Sequence, residues 1–353
     1  MANPDPNTAL KMSSFGHTLA EVSAIVWIGA KQIFSLAIFC FFLTVGSPLA
    51  QERPVLVNVS ISAPSFTIAA YVIAKEKGYF RQEGIEPRFI LMPSAVSSKA
   101  MISKDVDFDT LGSPTINAAL VGMPIRAVFA TNSRTNMYLI GSKETRSFED
   151  LRGKKVGTGG IGGLADVGTK RFLRAKGINP KEVTFIVLGG SGVRMAAVMS
   201  GAVAAVPLSP PYDYQAKKAG LNVLGYFGDT FPSYMSGVGV HTDALAGKQK
   251  LVKGFVKASL KGLRFVHARK AETVELMMRV MKTHDREMME AVYDSSLKAF
   301  TKDGMLGPQI QGEVLAIALE GIGRSGKVRP EEAFDFTLVK EAARELEAEG
   351  WKP

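Results

Sequence analysis

The stretch Lys154-Lys-Val-Gly-Thr-Gly-Gly-Ile-Gly-Gly-Leu-Ala-Asp-Val-Gly-Thr-Lys170 decides what kind of fold this chain forms. It reads as a short strand over 155–157 that enters a glycine-rich loop and opens a helix over 165–175. Gly157, Gly159 and Gly162 fit G-x-G-x-x-G, a spacing that lets backbone N–H groups approach a phosphate at a helix start. A dinucleotide site also needs an acidic residue at the end of the following strand, to hold the ribose hydroxyls. The following strand, over 184–188, ends in Gly189-Gly190 instead. A phosphate loop needs Lys and then Ser or Thr after its last glycine, but Gly168 is followed by Thr169-Lys170. Gly189-Gly-Ser191-Gly-Val193 is one residue short of the G-x-S-x-G nucleophile elbow. The stretch is a strand-loop-helix unit that carries none of these chemistries.

The same unit recurs on both sides of it. Upstream, strands are expected over 55–61, 88–91, 108–111, 125–130 and 137–141, with helices over 68–77, 97–103 and 114–121. Gly78 stops the first helix, and Pro114 suits a first helical turn. Downstream, strands over 184–188, 204–208, 222–226 and 237–240 alternate with helices over 193–200 and 212–219. Five helices follow, over 249–268, 271–282, 286–301, 309–321 and 337–350. Such alternation predicts an α/β fold with mostly parallel sheets and flanking helices. Met101-Ile-Ser-Lys-Asp-Val-Asp107 and Val198-Met-Ser-Gly-Ala-Val-Ala204 form a weak internal repeat, each a helix end, a tight turn and a strand start.

The chain has 353 residues, 46% of them apolar, which is enough to bury two ordinary cores. Its net charge of +10 favours anionic partners. Nucleic acid is not among them: the basic residues are scattered, with no basic run, zinc-finger spacing or aromatic stripe. Residues 33–45 (IFSLAIFCFFLTV) form an uncharged apolar run behind Lys31, the length of a signal-peptide core and too short to span a membrane. Residues 1–50 are therefore expected to be a signal peptide and the protein to be exported to the periplasm; a later start at Met12 and an uncleaved anchor are the alternatives. Cys40, the single cysteine, falls inside this run, so the mature chain forms no disulfide. Bulky Phe39 before it argues against lipid attachment.

No catalytic constellation emerges. His241, His267 and His284 lie on separate segments without metal-ligand spacing and read as surface or capping residues. The methionines Met277, Met278, Met281, Met288 and Met289 read as core filler. No catalytic residue, cofactor or metal is expected. What recurs is small or hydroxylated residues where strands end and helices begin. These are Ser65 with Phe66, Ser94, Gly112-Ser113-Pro114-Thr115, Thr158-Gly-Gly160-Ile161, Gly189-Gly-Ser191-Gly, and Ser209-Pro210-Pro-Tyr212. In open α/β sheets these carboxyl ends border the ligand crevice, and free N–H groups at helix starts hold anionic oxygens.

On these residues the chain resembles the periplasmic solute-binding proteins of ABC importers, the group of sulfonate, taurine and nitrate binders and the related NMT1/THI5-like proteins of pyrimidine-precursor synthesis. The likeness spans 54–350. Its most specific parts are Ala74-Lys-Glu-Lys-Gly-Tyr-Phe80 with Glu83-Gly-Ile85, and Ser147-Phe-Glu-Asp-Leu-Arg-Gly-Lys-Lys-Val-Gly157; the turn Gly177-Ile-Asn-Pro180 adds to them. The chain departs from the family where Ala204 replaces the usual acid and Lys104-Asp105 replaces a glycine-containing turn.

The resemblance implies a type II periplasmic binding protein fold whose two lobes close around a ligand. Lobe 1 is expected over 54–140 and 238–353 and lobe 2 over 141–237, with crossover hinge strands near 139–142 and 233–238. The implied function is the binding component of an importer: a monomer clasping a small organic, anionic ligand and delivering it to a membrane permease and its ATPase. The expected ligand contacts are Ser65, Ser94, Ser113, Thr115, Gly160, Ile161, Ser191 and Pro210, with Phe66 and Tyr212 packing on its apolar part. Arg194 either pairs with a carboxylate or sulfonate or is solvated at a helix start. Two alternatives follow from the same resemblance: an enzyme making a pyrimidine precursor, whose cysteine-rich iron site the mature chain lacks, and a ligand-sensing domain for a membrane signalling partner.

Overall fold

The computed structural model describes residues 53–61 and 64–353; the expected leader, with Cys40, lies outside them. From the amino end the chain forms β1 (Val55–Ile61), α1 (Ala69–Glu76), α2 (Tyr79–Gln82), β2 (Ile85–Leu91), α3 (Ser94–Ile102), β3 (Phe108–Leu111), α4 (Gly112–Leu120) and β4 (Ile125–Ala130). It continues through β5 (Tyr138–Gly141), β6 (Lys155–Thr158), α5 (Leu164–Ala175), β7 (Thr184–Val187), α6 (Ser191–Met199), β8 (Ala205–Leu208), α7 (Tyr212–Lys218) and β9 (Asn222–Tyr226). After β10 (Ser236–His241) it is helical: α8 (Thr242–Gly247), α9 (Gln249–Ala268), α10 (Lys270–Val280), α11 (Arg286–Leu297), α12 (Pro308–Gly321) and α13 (Thr337–Ala348). Short α8 was not expected; His241 caps it, its Nδ1 accepting from the Asp243 N–H at 3.1 Å. Among the described residues no helix is long and apolar enough to cross a membrane.

The strands form two sheets with one plan. The first has the order β2-β1-β3-β10-β4 and the second β7-β6-β8-β5-β9. In each, only the fourth strand opposes its neighbours: β10 pairs antiparallel with β3 and β4, and β5 pairs antiparallel with β8 and β9. That reversed strand is the one the chain contributes after crossing between sheets. The crossings span 131–137 and 227–235 and pair with each other through a bridge between Arg134 and Pro232. Tyr138 to Ile140, expected in lobe 1, pair in the second sheet, and Ser236 and Gly237, expected in lobe 2, pair in the first. The reason is burial: Leu139 enters one core of the second sheet while Tyr138 and Ile140 enter the core on its other face.

The weak sequence repeat marks equivalent places in this plan. The α3–β3 and α6–β8 connections turn the same way, with Lys104 at φ 63° and Gly201 at φ 73°. A left-handed residue with a Cβ is strained by about 1–2 kcal/mol, so lobe 1 carries at Lys104 a strain that lobe 2 avoids. Lys104 Nζ gains a pair with Asp243 (2.7 Å), but both side chains are exposed, where such pairs contribute at most about 1 kcal/mol.

Lobe 1 is built around stacked Phe108 and Phe255, with ring centroids 3.8 Å apart. Met277 and Met289 are fully buried in the same core, with Met278, Met281 and Met288 packed on it. A polar knot lies beside it. Asp109, 1% exposed, accepts from Ser60 Oγ (2.6 Å), Ser97 Oγ (2.7 Å), the Leu111 N–H (3.0 Å) and Thr115 Oγ1 (3.1 Å). Burial pushes its carboxyl above the usual carboxylate range, against these hydrogen bonds, which pull it down.

Two stability predictions follow from these features. Gly201→Ala forces a Cβ into the left-handed turn and lowers the thermal midpoint by roughly 2–4 °C, whereas Lys104→Gly relieves strain; an equal fall in Lys104→Gly would contradict this account. Because the folded chain holds the Asp109 proton more tightly, the stability contributed by this group is full below the unfolded value of about 3.9 and is lost as pH rises through the folded value. In urea unfolding, the difference between wild type and Asp109→Asn should therefore shrink as pH rises from about 4 to about 7, and a widening difference would refute it.

Candidate functional site

All six small-residue loops follow the carboxyl ends of strands, three in each lobe. Their side chains divide into groups. Ser65 is half-buried, its Oγ 2.8 Å from Thr67 Oγ1. Ser94 begins α3. Ser113, half-buried at the start of α4, has only a 3.4 Å contact to the Tyr234 carbonyl. Gly160 and Ile161 form the tip of the β6–α5 loop, where Ile161 is 86% exposed. Pro210 and Tyr212 are half-buried before and at the start of α7, with the Tyr212 hydroxyl against Gly192 of α6.

Two expected contacts belong to the interior instead. Phe66 is buried, edge-on to Tyr293 at 5.8 Å and 6.0 Å from Phe300, because aromatic residues of α11 and the segment after it draw it into the lobe 1 core. Thr115 is 1% exposed: its hydroxyl serves Asp109 and the Leu111 carbonyl (3.0 Å), and its methyl group lies under Gly239.

Arg194 is not a solvated helix-start residue. It is 5% exposed, and its guanidinium spans the floor of lobe 2. Nε donates to the Pro207 carbonyl at 2.8 Å, one terminal nitrogen donates to the Gly189 carbonyl, and the other donates to Ser191 Oγ at 3.0 Å. A Cβ at Gly159 would lie 3.3 Å from this group, so the β6–α5 loop passes directly over it. No carboxylate pairs with Arg194 among the described residues. Burial alone pulls its pKa down, yet a guanidinium stays protonated at neutral pH. The result is a buried positive charge whose partners in the protein are neutral.

The helix ends around it differ in sign. The first turns of α3, α4 and α6 carry no acid and no side-chain cap; this leaves the first N–H groups and the positive dipole ends of α3 and α6 open, whereas the Gly112 N–H of α4 donates to the Met235 carbonyl at 3.2 Å. The first turns of α5 and α7 carry Asp166 and Asp213. Asp166, 4% exposed, accepts from the Gly162 N–H at 3.0 Å and pairs with Lys170 Nζ at 2.8 Å. An anion is therefore favoured at the α6 end beside Arg194 and opposed at the α5 end.

A cavity of about 100 Å³ opens between the lobes, lined by α4, the α5 start, the second crossing and α12. Its α12 wall and Ser233 were missed in the sequence, since nothing local in an amphipathic segment 150 residues from the glycine loop marks it as part of a site. The lobes touch beside this cavity: a Cβ at Gly162 would sit 2.5 Å from the Gly321 carbonyl oxygen, and Arg171 Nε donates to Glu320 Oε2 at 2.7 Å. A second bridge between lobes joins Lys218 Nζ and Glu287 Oε2 at 2.9 Å.

Comparison with known proteins agrees with this geometry. The riboflavin-binding protein RibY of Chloroflexus aurantiacus is 28% identical over 244 residues, which is 66% of this chain and 69% of the relative. The periplasmic sulfonate-binding protein SsuA from Methylobacillus flagellatus KT shares the fold with a TM-score of 0.69 at 19% identity, over 86% of this chain and 98% of that one. The desulfurization enzyme DszB, in complex with biphenyl-2-sulfinic acid, shares it with a TM-score of 0.64 at 13% identity, over 83% and 99%. These neighbours identify the two-lobed architecture as the type II periplasmic binding protein fold. The family model described as NMT1/THI5-like matches residues 65–273, which include the named residues of all six small-residue loops and the whole floor around Arg194. This chain belongs to the NMT1/THI5-like family.

Proposed function

We propose that the chain is the solute-binding component of an ABC importer, exported to the periplasm, which clasps a small organic anion between its lobes and delivers it to a membrane permease. The observation that carries this reading is the buried Arg194 guanidinium without a carboxylate partner. Leaving a charge desolvated and uncompensated costs several kcal/mol, so a partner that arrives with the ligand is favoured there. A carboxylate, sulfonate or sulfinate at this place would meet the remaining Arg194 N–H groups, the Ser191 hydroxyl and the open N–H groups of α6. From lobe 1, the uncapped start of α3 provides matching N–H donors.

Charge-assisted hydrogen bonds contribute about 1.5–3 kcal/mol each. Three or four, less the ordering cost, reach the roughly −8 kcal/mol of micromolar affinity. The sulfonate-binding and riboflavin-binding relatives support binding over catalysis. DszB shows that the fold also hosts chemistry. His241 caps α8 and His267 Nε2 bonds the Thr301 carbonyl in lobe 1 at 2.7 Å, so neither histidine serves as an acid–base group at the loops.

A thermal-shift panel of sulfonates, carboxylates and pyrimidines tests the reading. At least one anion should stabilise the mature protein, and Arg194→Gln should weaken that anion by roughly 10- to 100-fold. Stabilisation by no anion, or an undiminished effect in Arg194→Gln, would contradict it.

A further inference from the structure

The cavity under α12 differs in chemistry from the charged floor. Ile116 of α4, Leu164 and Val167 of α5, and Val314, Ile317 and Ala318 of α12 give it apolar walls. Its small polar side chains are Ser113 and Asn117 of α4 and Ser233 of the second crossing. Ser233, 5% exposed, has a buried Oγ with no hydrogen-bond partner among the described residues, and Ser113 Oγ has only its long contact to Tyr234. At the α5 start that forms one edge, Asp166 already accepts from the Gly162 N–H and pairs with Lys170, so this helix end offers a ligand anion no free positive charge. The β6–α5 loop joins the two environments: Gly159 lies against Arg194, and Gly162 and Gly163 line the cavity.

From this geometry we infer that the α12 cavity seats the neutral aromatic or heteroaromatic ring of the ligand, with Ser233 bonding a ring heteroatom, and so restricts the ligand to anions with a flat apolar body. The anionic end rests on the function proposed above; the ring seat stands on the cavity alone. An alkyl chain would fill the walls but leave the Ser233 hydroxyl unpaired, at a cost of about 1–3 kcal/mol. A nitrogen heterocycle satisfies both. Hydrated inorganic anions satisfy neither.

Calorimetric titration of the mature protein with a quinoline carboxylate, quinoxaline and ethanesulfonate separates the two ends. Wild type should bind the ring-bearing carboxylate tightest and quinoxaline measurably. Ala318→Leu, which adds bulk to one wall, should weaken both ring probes roughly tenfold or more and spare ethanesulfonate. Ser233→Ala, a small change that keeps the fold, should weaken quinoxaline while leaving ethanesulfonate unchanged, and circular dichroism melts confirm that both variants fold. No binding of either ring probe to wild type, or equal binding by wild type and both variants, overturns the ring seat. Loss of quinoxaline in Ala318→Leu, with no effect of Arg194→Gln on either anion, keeps the ring seat and removes the anion reading instead.

Discussion

The structure turns on one buried cation. Arg194 ties together the end of β8 at Pro207, the β7–α6 loop at Gly189 and the first turn of α6 at Ser191. A guanidinium can do this because its rigid fork of donors serves several carbonyls at once, and because it is more weakly hydrated than a lysine ammonium. These bonds satisfy part of its hydrogen-bonding capacity but none of its charge. That imbalance is what the proposed anion would relieve, and the three bonds fix the geometry of the loops that bear them.

The two lobes repeat one topology but divide the electrostatics between them. Lobe 1 has a buried carboxyl in Asp109, enclosed by hydroxyls and packed beneath α4, where its hydrogen bonds tie β1, α3 and α4 together. Lobe 2 has a buried guanidinium in Arg194, beneath a glycine loop and with neutral partners. Asp166 and Asp213 then mark which helix starts are closed to an anion. The cleft thus has a charged end and a neutral end, and the β6–α5 loop spans both.

Much of this was legible in the sequence, for physical reasons that can be named. Strand and helix periods are local, so the alternation and the loops at strand ends could be read directly, and the repeat of 101–107 in 198–204 matched the turn at Lys104 with the turn at Gly201. Side-chain direction at a strand end is not local. Phe66 follows Ser65 at a helix start and looks cleft-facing until Tyr293 and Phe300, more than two hundred residues on, draw it inward. Thr115 is held by Asp109, and the only hint was an acid inside the apolar run Phe108-Asp-Thr-Leu111. Arg194 could be named as a candidate, but whether water or protein surrounds it depends on Gly159 and Pro207, which tertiary structure alone brings to it.

Anomalous diffraction from crystals of the mature protein soaked in bromide tests the central claim most directly, since a halide reports where the protein itself concentrates negative charge. The account predicts an ordered bromide in contact with the Arg194 guanidinium and the Ser191 hydroxyl. Bromide found only at exposed lysines and arginines, with the Arg194 floor dry or covered by a protein carboxylate, would contradict it.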